Sequence, residues 1–175
     1  NLTNNNGTSN CLQCDDGFIG SIDLLSCKAV ITHCITNVQP ATLTDIVTCS
    51  QCDVNFILDN GDTVCTPNIT NCASASYDNN LGYVICSACD SGYTMSGDSL
   101  ACFLNIVNCI TNVGPALSTG SLTCTACSNN HIADSTNSRC DPMITHCSSY
   151  NLTTNPVTCN ACNVGYSLNL AKSLC

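Results

Sequence analysis

Nineteen cysteines set on one repeating spacing constrain this chain more than any other feature. Each unit reads Cys-x2-Cys, twelve residues, Cys, six residues, Cys. Unit one is Cys11, Cys14, Cys27 and Cys34; unit two is Cys49, Cys52, Cys65 and Cys72. Unit three is Cys86, Cys89, Cys102 and Cys109; unit four is Cys124, Cys127, Cys140 and Cys147. A fifth begins with Cys159, Cys162 and Cys175. Only the spacers vary, at 14, 13, 14 and 11 residues. A fixed period of this kind belongs to tandem modules that contact their neighbours in line. We divide the chain into the end of a preceding spacer (1–10), repeats at 11–48, 49–85, 86–123 and 124–158, and a partial repeat at 159–175. The array is expected to continue past both ends, because residues 1–10 resemble the close of a spacer and Cys175 awaits six residues and a cysteine.

A unit of about 37 residues is too short to bury a self-sufficient core, since chains below roughly 40 residues usually need covalent or metal support. Cysteine exceeds a tenth of the sequence, the mark of a disulfide scaffold made in an oxidising compartment. Closing a loop of about 15 residues contributes on the order of 3 kcal/mol, so two per unit rival the stability of a small domain. The expected fold is a small disulfide-rich one, mostly β and irregular, drawn out as an elongated tandem-repeat rod. Helical periodicity is absent, and short β-leaning stretches stand before each Cys-x2-Cys (Ile46-Val47-Thr48, Tyr83-Val84-Ile85).

Lining up the units reveals a turn and an aromatic after the second cysteine: Asp15-Asp16-Gly17-Phe18, Asp53-Val54-Asn55-Phe56, Asp90-Ser91-Gly92-Tyr93 and Asn163-Val164-Gly165-Tyr166. Unit four has His131 in the aromatic place. Gly or Asn at the third position predicts a left-handed turn conformation, and the aromatic is expected to lie over the neighbouring disulfide as a one-residue core. An isoleucine stands three places before each fourth cysteine: Ile31, Ile69, Ile106 and Ile144. A longer period is superimposed, because Ile35-Thr36-Asn37-Val38 returns 75 residues on as Ile110-Thr111-Asn112-Val113, and Ser76-Tyr77 answers Ser149-Tyr150. Odd and even units are therefore two kinds, and the structural repeat is a pair.

Three cations (Lys28, Arg139, Lys172) face twelve aspartates and no glutamate, for a net charge of −9. That balance excludes a nucleic-acid partner, which needs a basic stripe, and adsorption to an anionic membrane. No run of 18 apolar residues predicts a membrane-spanning segment. The sequons at Asn1, Asn6, Asn68 and Asn151 are candidate glycosylation sites in a secreted chain.

Three pairing schemes fit the cysteines, and spacing leaves all of them open. A sequential ladder would join Cys14–Cys27, Cys34–Cys49, Cys52–Cys65, Cys72–Cys86, Cys89–Cys102, Cys109–Cys124, Cys127–Cys140, Cys147–Cys159 and Cys162–Cys175, leaving Cys11 for an upstream cysteine. An interleaved scheme would join first to third and second to fourth. A third would close each Cys-x2-Cys on itself. We favour the ladder, because it makes a closed minidomain of each turn-aromatic segment and ties every unit to the next. Metal and catalytic readings fare worse. His33 and His146 precede the fourth cysteine, but Asn71 and Asn108 take that place in the other units, so a zinc ligand would exist in alternate units only. Asp59, Asp62 and Asp98 lack calcium-loop spacing, five Cys-x2-Cys copies in turn-rich sequence do not suit thioredoxin-like chemistry, and His131 with Asp134 lacks a nucleophile. No cofactor and no enzymatic activity are expected.

The Cys-x2-Cys-x2-Gly-aromatic signature, the eight-cysteine double unit and the Asn/Ser/Thr-rich, Lys-poor composition resemble the cysteine-rich surface (immobilization) antigens of ciliates. That resemblance implies a glycosylated β protein forming a surface coat or extracellular filament. The signature is also similar, more distantly, to receptor-type cysteine-rich modules, whose pairing of the motif's second cysteine with the next supports the ladder. The expected function is structural: a self-associating rod at the cell surface or in an extracellular fibre. The alternative is a receptor-type or adhesive ectodomain binding a protein or glycan ligand.

Overall fold

The computed structural model describes residues 2–5, 8–11 and 13–175. The chain is built from two-stranded antiparallel hairpins, with no helix among the described residues. It divides into two compact units, Asn1–Ile69 with Ser74–Ser87, and Thr70–Ala73 with Ala88–Cys175. This division cuts across the five repeats read from the sequence.

Two kinds of hairpin alternate. A short one carries the twelve-residue loop of each repeat, pairing Phe18–Gly20 with Cys27–Ala29, Phe56–Leu58 with Cys65–Pro67, Tyr93–Met95 with Cys102–Leu104 and His131–Ala133 with Cys140–Pro142. A longer, bulged one spans the spacer, pairing Cys34–Val38 with Thr48–Cys52, Cys109–Val113 with Thr123–Cys127 and Cys147–Asn151 with Thr158–Cys162. Cys72–Asp78 and Tyr83–Cys89 form a hairpin in the spacer of repeat two, and Leu2–Asn5 pairs Thr8–Cys11. In the long hairpins the fourth cysteine lies opposite the second cysteine of the next motif, Cys34 against Cys52 and Cys109 against Cys127. A bulge then shifts the register, so the first cysteine faces Asn37 or Asn112 instead.

The Gly/Asn rule at the turn holds. Gly17, Asn55, Gly92, Asn130 and Gly165 all have positive φ, between 65° and 93°, where glycine and asparagine are tolerated best. The carbonyl of this residue accepts from the strand beyond the third cysteine, as in Val30 N–H to Gly17 at 3.0 Å and Met143 N–H to Asn130 at 2.7 Å.

The core lies elsewhere than expected. The buried apolar residues are the first cysteine of the later four motifs (Cys49, Cys86, Cys124, Cys159), the aliphatic residue two places before it (Val47, Val84, Leu122, Val157), and Cys65, Cys72 and Cys140. None of the turn aromatics is fully buried, and Phe18 at 50% and Tyr166 at 47% stay half exposed. With so little apolar surface removed from water, burial alone cannot offset chain entropy.

Disulfides supply the rest. Cys14–Cys27, Cys52–Cys65, Cys89–Cys102, Cys127–Cys140 and Cys162–Cys175 close the twelve-residue loops. Cys34–Cys49, Cys109–Cys124 and Cys147–Cys159 join one repeat to the next. Cys72 and Cys86 are also disulfide-bonded, and Cys11 is the free cysteine among the described residues. The two kinds of bridge touch in repeats two, four and five, with Cys49 Sγ 3.6 Å from Cys65 Sγ, Cys124 Sγ 3.3 Å from Cys140 Sγ and Cys159 Sγ 3.4 Å from Cys175 Sγ.

Candidate functional site

The feature repeated most faithfully is the junction between one repeat and the next. The residue before each fourth cysteine is left-handed: His33, Asn71, Asn108 and His146 have φ between 59° and 63°. That twist completes a turn in which the cysteine N–H donates to the isoleucine three places earlier, Cys34 to Ile31 at 3.2 Å and Cys109 to Ile106 at 3.1 Å. It also aims the carbonyl of the twisted residue at the following repeat. Asp53, Asp90, Ser128 and Asn163 each donate a backbone N–H to that carbonyl, at 2.7 or 2.8 Å. The covalent bond and the hydrogen bond sit side by side.

Where the twisted residue is histidine, its ring adds a third fastening. His33 stacks on Phe56 at 3.9 Å between centroids and 14° between planes, and His146 stacks on Tyr166 at 3.7 Å and 12°. The Asp53 carboxylate lies 3.7 Å from His33 Nδ1. These two histidines are therefore fastened to the following repeat, whose turn aromatic lies against the histidine ring. The signal was present in the sequence, because both histidines precede repeats whose turn ends in an aromatic.

The odd spacers and the spacer of unit four brace their isoleucine differently. In odd units the Asn of Ile-Thr-Asn-Val accepts the isoleucine N–H, Ile31 to Asn37 Oδ1 at 2.7 Å and Ile106 to Asn112 Oδ1 at 2.8 Å. In the even unit four, the Tyr150 hydroxyl donates to the Ile144 carbonyl at 2.9 Å.

Sequence reading missed a polar position six residues before each third cysteine, where Ser21, Asp59, Ser96, Asp134 and Asn169 stand. Each side chain caps its own loop. Asp59 Oδ1 accepts from Thr63 and Val64 N–H at 2.6 and 2.9 Å; Asp134 Oδ1 accepts from Ser138 and Arg139 N–H; Asn169 Oδ1 accepts from Ser173 and Leu174 N–H. Ser21 and Ser96, both buried, accept from Ser26 and Ala101 N–H. Aligning the units at the third cysteine would have exposed this position.

In odd units a carboxylate two residues after the capping serine reaches out of the loop to the spacer. Asp23 Oδ2 accepts from Leu43 N–H at 2.9 Å, and Asp98 Oδ2 from Ser118 N–H at 2.6 Å. The Ser96 hydroxyl and then the Ser118 N–H hold the Asp98 carboxyl down to about 2. A depressed carboxyl favours the folded contact above its unfolded pKa of 3.8, and that advantage is lost as pH falls through about 2. Acidification from pH 4 to below 2 is therefore expected to lower the protection of the Ser118 amide, relative to its intrinsic exchange rate at each pH, while leaving the protection of His131 N–H, bonded to the Ser128 carbonyl, unchanged. An equal loss of protection at both would refute the latch.

The residues weighed for metal or catalysis have these structural tasks. Asp59 caps a loop, Asp62 is a left-handed turn residue whose carbonyl takes the Cys49 N–H, and Asp98 is the spacer latch. His131 Nδ1 contacts Ser128 and Asn129, while Asp134 serves its own loop. Sulfur atoms do cluster within 4.8 Å, as in Cys34, Cys49 and Cys65, or Cys109, Cys124 and Cys140. All six are tied up in disulfides, so they offer no thiolates to a metal.

Of the sequons, Asn1 and Asn6 lie outside the described residues. Asn68 Oδ1 accepts the Ile69 N–H at 2.8 Å. Asn151 Oδ1 accepts both the N–H and the hydroxyl of Thr153, at 3.2 and 2.7 Å.

The fold and its junctions define a small disulfide-rich, mostly β repeat protein, whose bridges place it in an oxidising, extracellular-type compartment. No helix among the described residues is long and apolar enough to cross a membrane. Neither family models, nor curated proteins, nor solved structures gave a match to the chain.

Proposed function

We propose that this protein is a structural component of an extracellular coat or filament, in which covalently linked repeats transmit load and resist unfolding. The observation that carries this reading is the recurrence at each described junction of a left-handed residue at the same place, whose carbonyl accepts a backbone N–H of the next repeat. Selection for a ligand site would single out one repeat, whereas a load-bearing array needs every link alike. Lateral or end-to-end association with further copies has chemical support in exposed aliphatic side chains that recur 75 residues apart: Ile35 and Ile110, Val38 and Val113. The even repeats carry Asn68 and Asn151, which we read as glycan sites, so apolar and sugar-bearing repeats would alternate. A coat of the kind found on ciliates is the form this reading favours.

The second reading, a receptor-type ectodomain, leans on the departures in repeat four. Arg139 is the residue that would mark such a site, but its Nε donates to Asp141 at 2.7 Å and its guanidinium to the Thr154 carbonyl at 3.1 Å. It is used inside the repeat.

Cryo-electron microscopy of native, unreduced material tests the proposal. Filaments with an axial period matching one or two repeats are expected, together with enzymatic deglycosylation shifts at Asn68 and Asn151. Monodisperse, unassociated molecules at all concentrations would overturn it.

A further inference from the structure

At the junctions after repeats one, three and four, two disulfides meet, and a second way of joining the same four sulfurs lies within reach. We infer that these junctions are thiol–disulfide exchange centres. A small monothiol of the glutathione class catalyses the swap of Cys34–Cys49 with Cys52–Cys65 for Cys34–Cys52 with Cys49–Cys65. This concerns the chemistry of a single chain and does not rest on the coat or filament reading.

Two independent features bring the new partners together. Along the long hairpin Cys34 lies directly opposite Cys52, as Cys109 lies opposite Cys127 and Cys147 opposite Cys162. Opposed residues of an antiparallel pair have Cα atoms about 4.5–5.5 Å apart, inside the range of about 4.4–6.8 Å that a disulfide spans. The other two sulfurs already touch, Cys49 Sγ with Cys65 Sγ at 3.6 Å and Cys124 Sγ with Cys140 Sγ at 3.3 Å. Cys34 Sγ lies within 4.8 Å of both Cys49 and Cys65, and Cys109 Sγ within 4.8 Å of both Cys124 and Cys140. Each junction therefore holds one cluster of four sulfurs in place of two separate bonds.

Burial gives the exchange its direction. Cys49 and Cys65 are buried, at 1% and 7% exposure, whereas Cys34 and Cys52 are only partly covered. Cys124 and Cys140 are buried likewise, with Cys109 and Cys127 partly covered. The small thiolate attacks Cys34 Sγ and forms a mixed disulfide there, while Cys49 leaves with the electron pair of the old bond. A thiolate at buried Cys49 is an unpaired charge shut off from water, which is strongly disfavoured. It attacks the touching Cys65 sulfur; the Cys49–Cys65 bond forms and Cys52 leaves as a thiolate nearer to solvent. Cys52 then attacks Cys34 Sγ, forming Cys34–Cys52 and returning the small thiolate. One thiolate enters and one leaves, so nothing is oxidised or reduced overall. Entry at Cys52 reaches the same end: Cys65 leaves and attacks Cys49, and the freed Cys34 expels the small thiol. Meanwhile the hairpin ladder and the Asp53 N–H bond to the His33 carbonyl, at 2.7 Å, hold the partners in place. Both pairings keep one bridge between repeats and one within a repeat. A junction opened by a thiol thus reseals with its neighbour still attached.

The test uses the 175-residue chain with its Cys11 thiol blocked by iodoacetamide, so that added glutathione is the one thiol present. After brief exposure to glutathione without oxygen, acidic guanidinium stops exchange and N-ethylmaleimide tags the thiol set free. Mass spectrometry then locates the tag. Simple opening of a bridge leaves it on Cys49 or Cys65, whereas the relay moves it to Cys52 or Cys34. We expect the partly covered pair to exceed the buried pair by about tenfold or more, because the buried thiolate is so poorly solvated. On longer exposure a Cys49–Cys65 bond should accumulate with no loss of total thiol. Cys52→Ser combined with Cys65→Ser keeps Cys34–Cys49 and removes the acceptor bond, and there the tag should stay on Cys49. A tag mainly on Cys49 or Cys65 in the unsubstituted chain would overturn the proposal. So would the absence of any tag under conditions that tag the chain unfolded in guanidinium. Exchange in a chain that never forms filaments would leave this inference standing and remove the fibre reading, and filaments without exchange would do the opposite.

Discussion

Cys49→Ser is expected to melt repeats one and two locally while the last repeat stays folded. Cys49 is only 1% exposed and bridges to Cys34 across the long hairpin. Its sulfur also packs against Cys65, so the substitution breaks a bridge, orphans the Cys34 thiol and disturbs the neighbouring disulfide. Losing a native disulfide in a small domain costs about 2–5 kcal/mol. A two-stranded hairpin with one buried aliphatic residue has little to set against that. In an array whose contacts run between neighbours, the damage should not propagate far. Amide exchange should rise sharply from Cys34 to Cys65 and stay unchanged from Asn163 to Leu174. The double variant Cys34→Ser with Cys49→Ser separates the lost bridge from the orphaned thiol, and it should be the milder of the two. A uniform rise along the whole chain would mean that the repeats fold as one cooperative body.

Gly114→Ala should cost about 1–3 kcal/mol, in the range of overpacking substitutions. A β-carbon on Gly114 would meet the Met95 carbonyl oxygen at 1.9 Å and its carbon at 2.9 Å. Both are backbone atoms, so no side chain can swing aside. The contact belongs to the docking of spacer on loop, where Gly97 N–H donates to the Pro115 carbonyl at 2.7 Å and Ser118 N–H to Asp98. Relief of the clash must stretch those bonds. Amide exchange at Gly97 and Ser118 is therefore the readout, with Gln39→Ala, at the matching place in repeat one, as the control that should change little. An unaltered exchange rate at Gly97 in the Gly114 variant would show that the spacer does not need its close seat.

The general character of the fold was legible in the cysteine spacing. Units too short for a core, with gaps that never vary, dictate a covalent scaffold of small β elements. Gly and Asn at the turn were also readable, since few residues tolerate positive φ. Sequence alone was weakest where one residue type serves different partners. Phe56 looked like a lid on a disulfide because a lone aromatic has no other obvious use; its true neighbour, His33, belongs to the repeat before. Asp59 and Asp98 look alike in sequence, yet one caps its own loop and the other crosses to the spacer. The pairing of cysteines stayed open for a similar reason. The bridging sulfurs of two different disulfides lie so close together that small shifts of register would favour another scheme.

The shortness of the bridges bears on how such a chain is made. The eight located disulfides join cysteines 12 to 15 positions apart. Closing a loop of that length takes well under a microsecond, against seconds or longer for thiol oxidation. Each cysteine therefore meets its partner many times before the chemistry happens, and before much further chain has been synthesised at roughly 5–20 residues per second. Low sequence separation also favours rapid folding in general. At the moment of oxidation a cysteine 12 to 15 positions away is thus met far more often than a distant one, which favours these bridges over longer mispaired loops. Length would then add little to the difficulty of oxidative folding, and an array of this design could grow by duplication without needing a new folding pathway.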